Sequence, residues 1–156
     1  MTAAHWPPLE ASHPLVTFVQ KLPEILTSAE HNEVWGVKLT PSSAIPSSDP
    51  PMVPSDALPP VPTMNVLQKF LRANKNDVGK AAQQLLETLA WRKKFDPLSA
   101  AWKETFDDEV FGGLGYVTEI KNKDGKDTVV VWNVYGAVKD KQKTFGDIDT
   151  YVTARL

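Results

Sequence analysis

Residues 64–97 read MNVLQKFLRANKNDVGKAAQQLLETLAWRKKFDP, and this stretch decides the fold. Val66, Leu67, Phe70 and Leu71 recur at three- and four-residue spacing, which predicts a helix with one apolar stripe. Thr63, just ahead of it, is the expected N-cap. Asn74 to Asn76 break the pattern, and Asp77 is placed to cap a longer helix. That helix carries Val78, Ala81, Ala82, Leu85, Leu86 and Leu89 on one side. Lys93 and Lys94 fall in its last turn, where cations complement the helix dipole. Pro97 ends it, and its ring biases Asp96 toward extended backbone. A short helix over Leu98–Lys103 follows.

Upstream, residues 40–62 (TPSSAIPSSDPPMVPSDALPPVP) hold eight of the thirteen prolines and five serines. This composition reads as an exposed, partly polyproline-like linker, or as a docking peptide for a proline-recognising domain. Before it, Leu15, Phe18, Val19, Leu22, Ile25 and Leu26 lie at helical spacing, with Pro23 expected to kink or divide the helix. EVWGVKL then reads as an extended segment docking through Trp35 and Val37.

Downstream the period changes. Tyr116, Thr118 and Ile120 alternate with Val117, Glu119 and Lys121, and residues 128–134 (TVVVWNV) form a β-branched, aromatic run. Asp124-Gly125 between them is a two-residue hairpin signal. The near-continuous apolar second strand predicts burial on both faces, as in a sheet covered by helices. A further helix begins near residue 146, with Asp147 or Asp149 as cap. A hairpin and one starting helix make a poor core, so a fragment is expected.

Bulk composition excludes several functions. With 42% hydrophobic and 23% charged residues the chain reads as a soluble globular protein of one domain's length. A net charge of −2 gives no case for a nucleic-acid partner. The absence of cysteine removes disulfides, thiolate metal sites and Cys nucleophiles, and fits a reducing compartment. The N-terminus lacks the basic and apolar regions of a signal peptide, and no apolar run reaches the ~20 residues of a membrane span. His5, His13 and His31 show no metal-ligand spacing. Gly112-Gly113-Leu114-Gly115 precedes a strand and so is no phosphate loop. No nucleophile, base and orienting group stand together, so no enzyme is expected. Trp35, Trp91, Trp102 and Trp132 are read as packing residues, and Arg72 and Arg92 as residues of wet helix faces.

The elements Phe70-Leu71-Arg72-Ala73, Asp77-Val78 and Trp91-Arg92-Lys93-Lys94-Phe95 resemble the N-terminal helical segment of the CRAL-TRIO (Sec-fourteen-like) lipid-transfer family. GYVTEIKNKDGKDTVVVWNVYG resembles the opening strands of that family's lipid-binding domain, closest to the fungal non-classical phosphatidylinositol-transfer branch. The resemblance covers roughly residues 64–156. It implies an α/β architecture: an N-terminal helical bundle, then the opening hairpin and helix of an incomplete lipid-binding domain. The expected divisions are 1–39, a helical segment; 40–62, the linker; 63–110, the family's N-terminal helices; and 111–156, the start of a truncated lipid-binding domain.

The resemblance also implies phosphatidylinositol binding and transfer between membranes without catalysis. It implies a cytoplasmic protein peripherally associated with endoplasmic reticulum or microsomal membrane. In this branch it further implies b-type haem in the lipid-type cavity, with Tyr135 and Arg155 at family haem-contact positions; the family's later histidine and tyrosine would lie beyond residue 156. A small helical adaptor, or an inactive fragment, is the alternative. Tyr135 also has a plain reading as a strand-end tyrosine, and Arg155 as a solvated helix residue.

Overall fold

The computed structural model describes residues 5–42, 51–103 and 105–154; the side chains of residues 101, 102 and 153 are also outside the description. Arg155 and the side chain of Trp102 therefore lie outside the described residues. The chain divides into two compact units, residues 1–95 and 96–156, whereas the sequence reading sets its boundaries at 39, 62 and 110.

In the first unit, α1 (Pro14–Ala29), α2 (Val61–Ala73) and α3 (Val78–Phe95) pack against one another. Leu15, Phe18 and Leu22 of α1, Met64 and Leu67 of α2, and Leu85 and Leu89 of α3 are fully enclosed in a single core. Each helix therefore supplies one apolar stripe, and none buries it alone. The N-terminal segment and the 63–95 helices thus share one core. α1 runs unbroken through Pro23, and His13 Nδ1 accepts the Leu15 N–H at its start.

Much of the proline-rich stretch is ordered. Strand β1 (Leu9–Glu10) pairs antiparallel with β4 (Met52–Val53), and Ala11 N donates to the Pro51 carbonyl. A 3-10 turn over Ser55–Ala57 follows, and Val53 and Leu58 are buried in the core. The composition argued for an exposed spacer. Instead, Val53 and Leu58 between the prolines give this segment a buried face, and one strand pair of two residues on each side pins it. α2 starts at Val61, not after Thr63. Proline suits a first helical turn because it lacks an N–H that would go unpaired there. Thr63 is buried, and its hydroxyl oxygen accepts the Thr40 N–H at 3.2 Å.

EVWGVKL is a hairpin, not a single extended segment. β2 (Glu33–Val34) pairs with β3 (Val37–Lys38) across Trp35-Gly36, whose φ values are +53° and +77°. Two positive φ angles in a two-residue loop define a type I′ turn, where Asn-Gly is the favoured pair. Tryptophan at the first position is strained by roughly 1–2 kcal/mol. Its ring stacks on Phe70 at 5.7 Å, an interaction worth about 1 kcal/mol, so strain and stacking nearly cancel.

Asp77 caps α3, accepting the Lys80 N–H at 3.0 Å. After α3, Asp96 has φ +46°, a left-handed helix terminus in place of the extended backbone expected before proline. The second unit then contains α4 (Pro97–Lys103), α5 (Asp108–Phe111), β5 (Gly115–Ile120), β6 (Thr128–Asn133), α6 (Lys141–Phe145) and α7 (Ile148–Thr153). Asp147 caps α7, accepting the Asp149 and Thr150 N–H groups. β5 and β6 pair in register from Gly115↔Asn133 to Ile120↔Thr128. The loop between them spans residues 121–127, longer than the two-residue turn expected. Gly125 takes φ +75° and closes a turn by donating to the Asn122 carbonyl.

Candidate functional site

Among the described residues, the hairpin β5–β6 exposes large apolar side chains on both of its faces. One face presents Tyr116 and Trp132, directly opposed and stacked at 5.9 Å, with the Trp132 Nε1–H donating to Thr118 Oγ1 at 2.9 Å. The other presents Val117, Val129 and Val131, all more than half exposed. Burial on both faces, expected from the apolar run, is thus not found among the described residues. The run does record strand propensity: β-branched and aromatic side chains favour the pleated backbone whether or not another layer covers them. The consequence is chemical. A ribbon with apolar side chains exposed on both faces is a surface that further apolar groups would cover.

Tyr135 follows this ribbon, in a 3-10 turn over Tyr135–Ala137. It is 69% exposed. Beside it lies a crevice of only ≈ 10 Å³, lined by Leu114, Asn133, Val134, Val138, Phe145 and Tyr151. Ligand pockets for molecules of cofactor size run from about 300 to 1,000 Å³. The crevice is therefore too small for a porphyrin, and Tyr135 is the one haem-contact candidate among the described residues. Taken alone, these residues do not build a haem site. Among the described residues there is also no cluster of three or more His, Asp or Glu side chains able to hold a metal ion. No helix of the described chain is long and apolar enough to cross a membrane.

Arg92 is not on a wet face. It is 8% exposed on α3 and reaches β2, where its Nε and Nη2 donate to Glu33 Oε2 at 3.1 and 2.7 Å. Nη2 also donates to Glu33 Oε1, and Nε to the Glu33 carbonyl. The Gly36 N–H completes the carboxylate's partners. Partial burial pushes the Glu33 carboxyl up. The Arg92 hydrogen bonds, the Gly36 N–H and the nearby positive charge outweigh this and hold it below its ordinary range. A depressed carboxyl stabilises the fold above its unfolded value of about 4.3, and that contribution is lost as pH falls through the lower folded value. Thermal melts of the chain are therefore expected to lose stability on acidification below about pH 4.5, and Glu33→Gln to flatten that dependence.

The neighbouring residues reinforce a structural role. His31 Nε2 lies 3.8 Å from Glu33 Oε2, and Lys93 pairs with Glu30 at the C-terminal cap of α1. These contacts tie the α1–β2 connection to the last turns of α3. The Arg92 Nε and Nη2 donors are taken up by Glu33, which is the pattern of a structural ion pair. The remaining packing expectations fail at the surface: Trp35, Trp91 and Trp132 are each at least 44% exposed.

Residues 14–87 match the model of the CRAL/TRIO N-terminal domain, which takes in α1 as well as α2 and most of α3. The phosphatidylinositol transfer protein SFH5 of Phaeosphaeria nodorum is 46% identical over 159 residues, covering 99% of this chain and 43% of that protein. Its namesake from Cryptococcus neoformans var. neoformans serotype D is 44% identical, over 98% of this chain and 48% of the relative. A crystal structure of Sfh5 superposes with a TM-score of 0.64 at 25% identity, over 91% of this chain and 46% of that one. The chain thus spans less than half the length of these relatives. A three-helix core followed by the β5–β6 hairpin is thus similar, over residues 14–87, to the CRAL/TRIO N-terminal domain and, over nearly its whole length, to part of the fungal SFH5 phosphatidylinositol transfer proteins.

Proposed function

We propose that the chain contributes to phosphatidylinositol binding and transfer between membranes, as one part of a lipid-enclosing domain. The observation that carries this is the apolar ribbon β5–β6, exposed on both faces, in a chain whose 46%-identical relative is named a phosphatidylinositol transfer protein. Lipid exchange makes and breaks no bond. It requires apolar walls that shield acyl chains, and a route for them to leave, so the lack of a catalytic set is in keeping with it. The partners on this reading are phosphatidylinositol and a membrane surface met from the cytoplasmic side, including that of the endoplasmic reticulum.

A direct test joins this chain to the C-terminal part of the Phaeosphaeria relative and analyses lipids co-purified from yeast by mass spectrometry. Phosphatidylinositol in stoichiometric amount is expected. A folded chimera that carries none, where the relative carries it, would remove the reading.

Haem binding enters the proposal through Tyr135 alone, at a phenol presented beside an apolar crevice. A phenolate is a known type of haem-iron ligand, and when bound the group would add redox-active iron chemistry. Because the crevice is too small for a porphyrin, we assign any haem site to the complete domain. Hemin added to this chain is expected to give a broad, non-saturating Soret band that is the same in Tyr135→Phe. A sharp saturable band lost in Tyr135→Phe would show instead that the site is already formed here.

A further inference from the structure

We propose that the β2–β3 hairpin tip and the adjoining face of α2 form a docking surface for an anionic lipid bilayer, with Trp35 as the inserted residue. The inference rests on the membrane-exchange reading above and assigns it a contact face outside the β5–β6 ribbon.

Trp35 occupies the apex of a type I′ turn, 57% exposed, in a backbone conformation that disfavours any bulky side chain. The fold thus presents a large aromatic ring at a two-residue tip where Asn would suit the backbone better. One side of the ring rests on Phe70, and Lys69 Nζ stands 5.3 Å from its centroid. Lys69 and Arg72 are three residues apart on α2 and so share a face. Lys38, on the second strand of the hairpin, is exposed as well.

Charge complementarity selects the occupant. Among the described residues Lys38, Lys69 and Arg72 make no ion pair. The hairpin's carboxylate, Glu33, is already neutralised by Arg92. The shallow apolar pocket behind the ring is closed by Ala73, Gln84 and Thr88, with no acidic group. An aromatic ring with an apolar body and an N–H settles at the headgroup level of a bilayer, and unpaired cations around it face anionic headgroups. A two-residue tip has few torsions to fix on insertion, unlike a long loop.

The test is flotation of the 156-residue chain with phosphatidylcholine vesicles that contain or lack phosphatidylserine. Binding is expected only to the anionic vesicles, and to weaken with added salt. Trp35→Asn restores the favoured turn residue, so a circular-dichroism melt close to the parent's shows that its fold is kept; its partitioning is expected to fall about tenfold. Lys69→Gln and Arg72→Gln are expected to weaken binding roughly fivefold each.

Folded Trp35→Asn that floats like the parent, or a parent that ignores anionic vesicles, overturns the docking face. So does a parent dimer in sedimentation that Trp35→Asn abolishes, since the tip would then join two copies. The lipid-exchange reading is scored separately by the lipid content of the chimera. Intact phosphatidylinositol loading alongside unchanged flotation of Trp35→Asn discards the face and keeps that reading.

Discussion

Arg92→Ala is expected to destabilise the first unit by about 3–5 kcal/mol, the usual cost of removing one member of a buried charge pair. The guanidinium makes every close contact to Glu33 that Gly36 and His31 do not supply, and it also caps the Glu33 carbonyl. Without it, a carboxylate 20% exposed is left at the junction of β2 and α3 with no strong cation. Urea-induced unfolding at low salt, followed by far-UV circular dichroism, measures the loss. Glu33→Gln combined with Arg92→Met removes both charges and is expected to recover most of it, since replacing a buried pair by neutral groups is often close to neutral. If Arg92→Ala costs less than about 1 kcal/mol, the pair is only a surface contact of the common weak kind.

Phe18→Ala is expected to cost a similar amount, about 3–5 kcal/mol, for a different reason. Phe18 is fully enclosed, in the same core cluster as Leu22 on its own helix and Leu85 and Leu89 on α3. Truncation removes its transfer free energy and leaves a cavity that a three-helix core closes only in part. Because domains of this size are stable by only about 5–15 kcal/mol, the variant is expected to be partly unfolded near body temperature. A melting temperature unchanged within error would mean that α1 is not part of the core, and that the first unit begins at α2. The salt dependence separates the two variants: the Phe18 loss is expected to be insensitive to added salt.

The helical core was legible because its signals are local. The spacing of Val66, Leu67, Phe70 and Leu71, and of Ala81, Leu85 and Leu89, states which side of each helix is buried without reference to the rest of the chain. Asp77 and Asp147 were readable as caps for the same reason. What escaped depends on partners distant in sequence. Arg92 meets Glu33 across 59 positions, and nothing near either residue announces it. The two-residue pairing of β1 with β4 is too short to leave a pattern, so proline content dominated the reading of residues 51–62.

Local chemistry misled in two places. Thr63 is a good cap by type, but Pro62 allowed the helix to begin earlier. Asp96 stands before proline, yet helix termination put it in the left-handed region. A signal for the β2–β3 turn did exist: a two-residue loop ending in Gly36, flanked by Val34 and Val37, marks a hairpin, with the unusual tryptophan at its first position hiding it. The candidate site was legible in part. The strands of the ribbon were visible, while their exposure was not, because a β-branched run looks the same under a covering layer and without one.

On the function proposed above, this chain holds one wall of a phosphatidylinositol-transferring domain. Transfer of fluorescent phosphatidylinositol between two vesicle populations, measured side by side for the chain alone and for its chimera with the C-terminal part of the Phaeosphaeria relative, tests it most directly. The prediction is transfer by the chimera at a rate near that of the relative, and none above the vesicle blank by the chain alone. A well-folded chimera that transfers nothing, or a chain that matches the relative unaided, would contradict it.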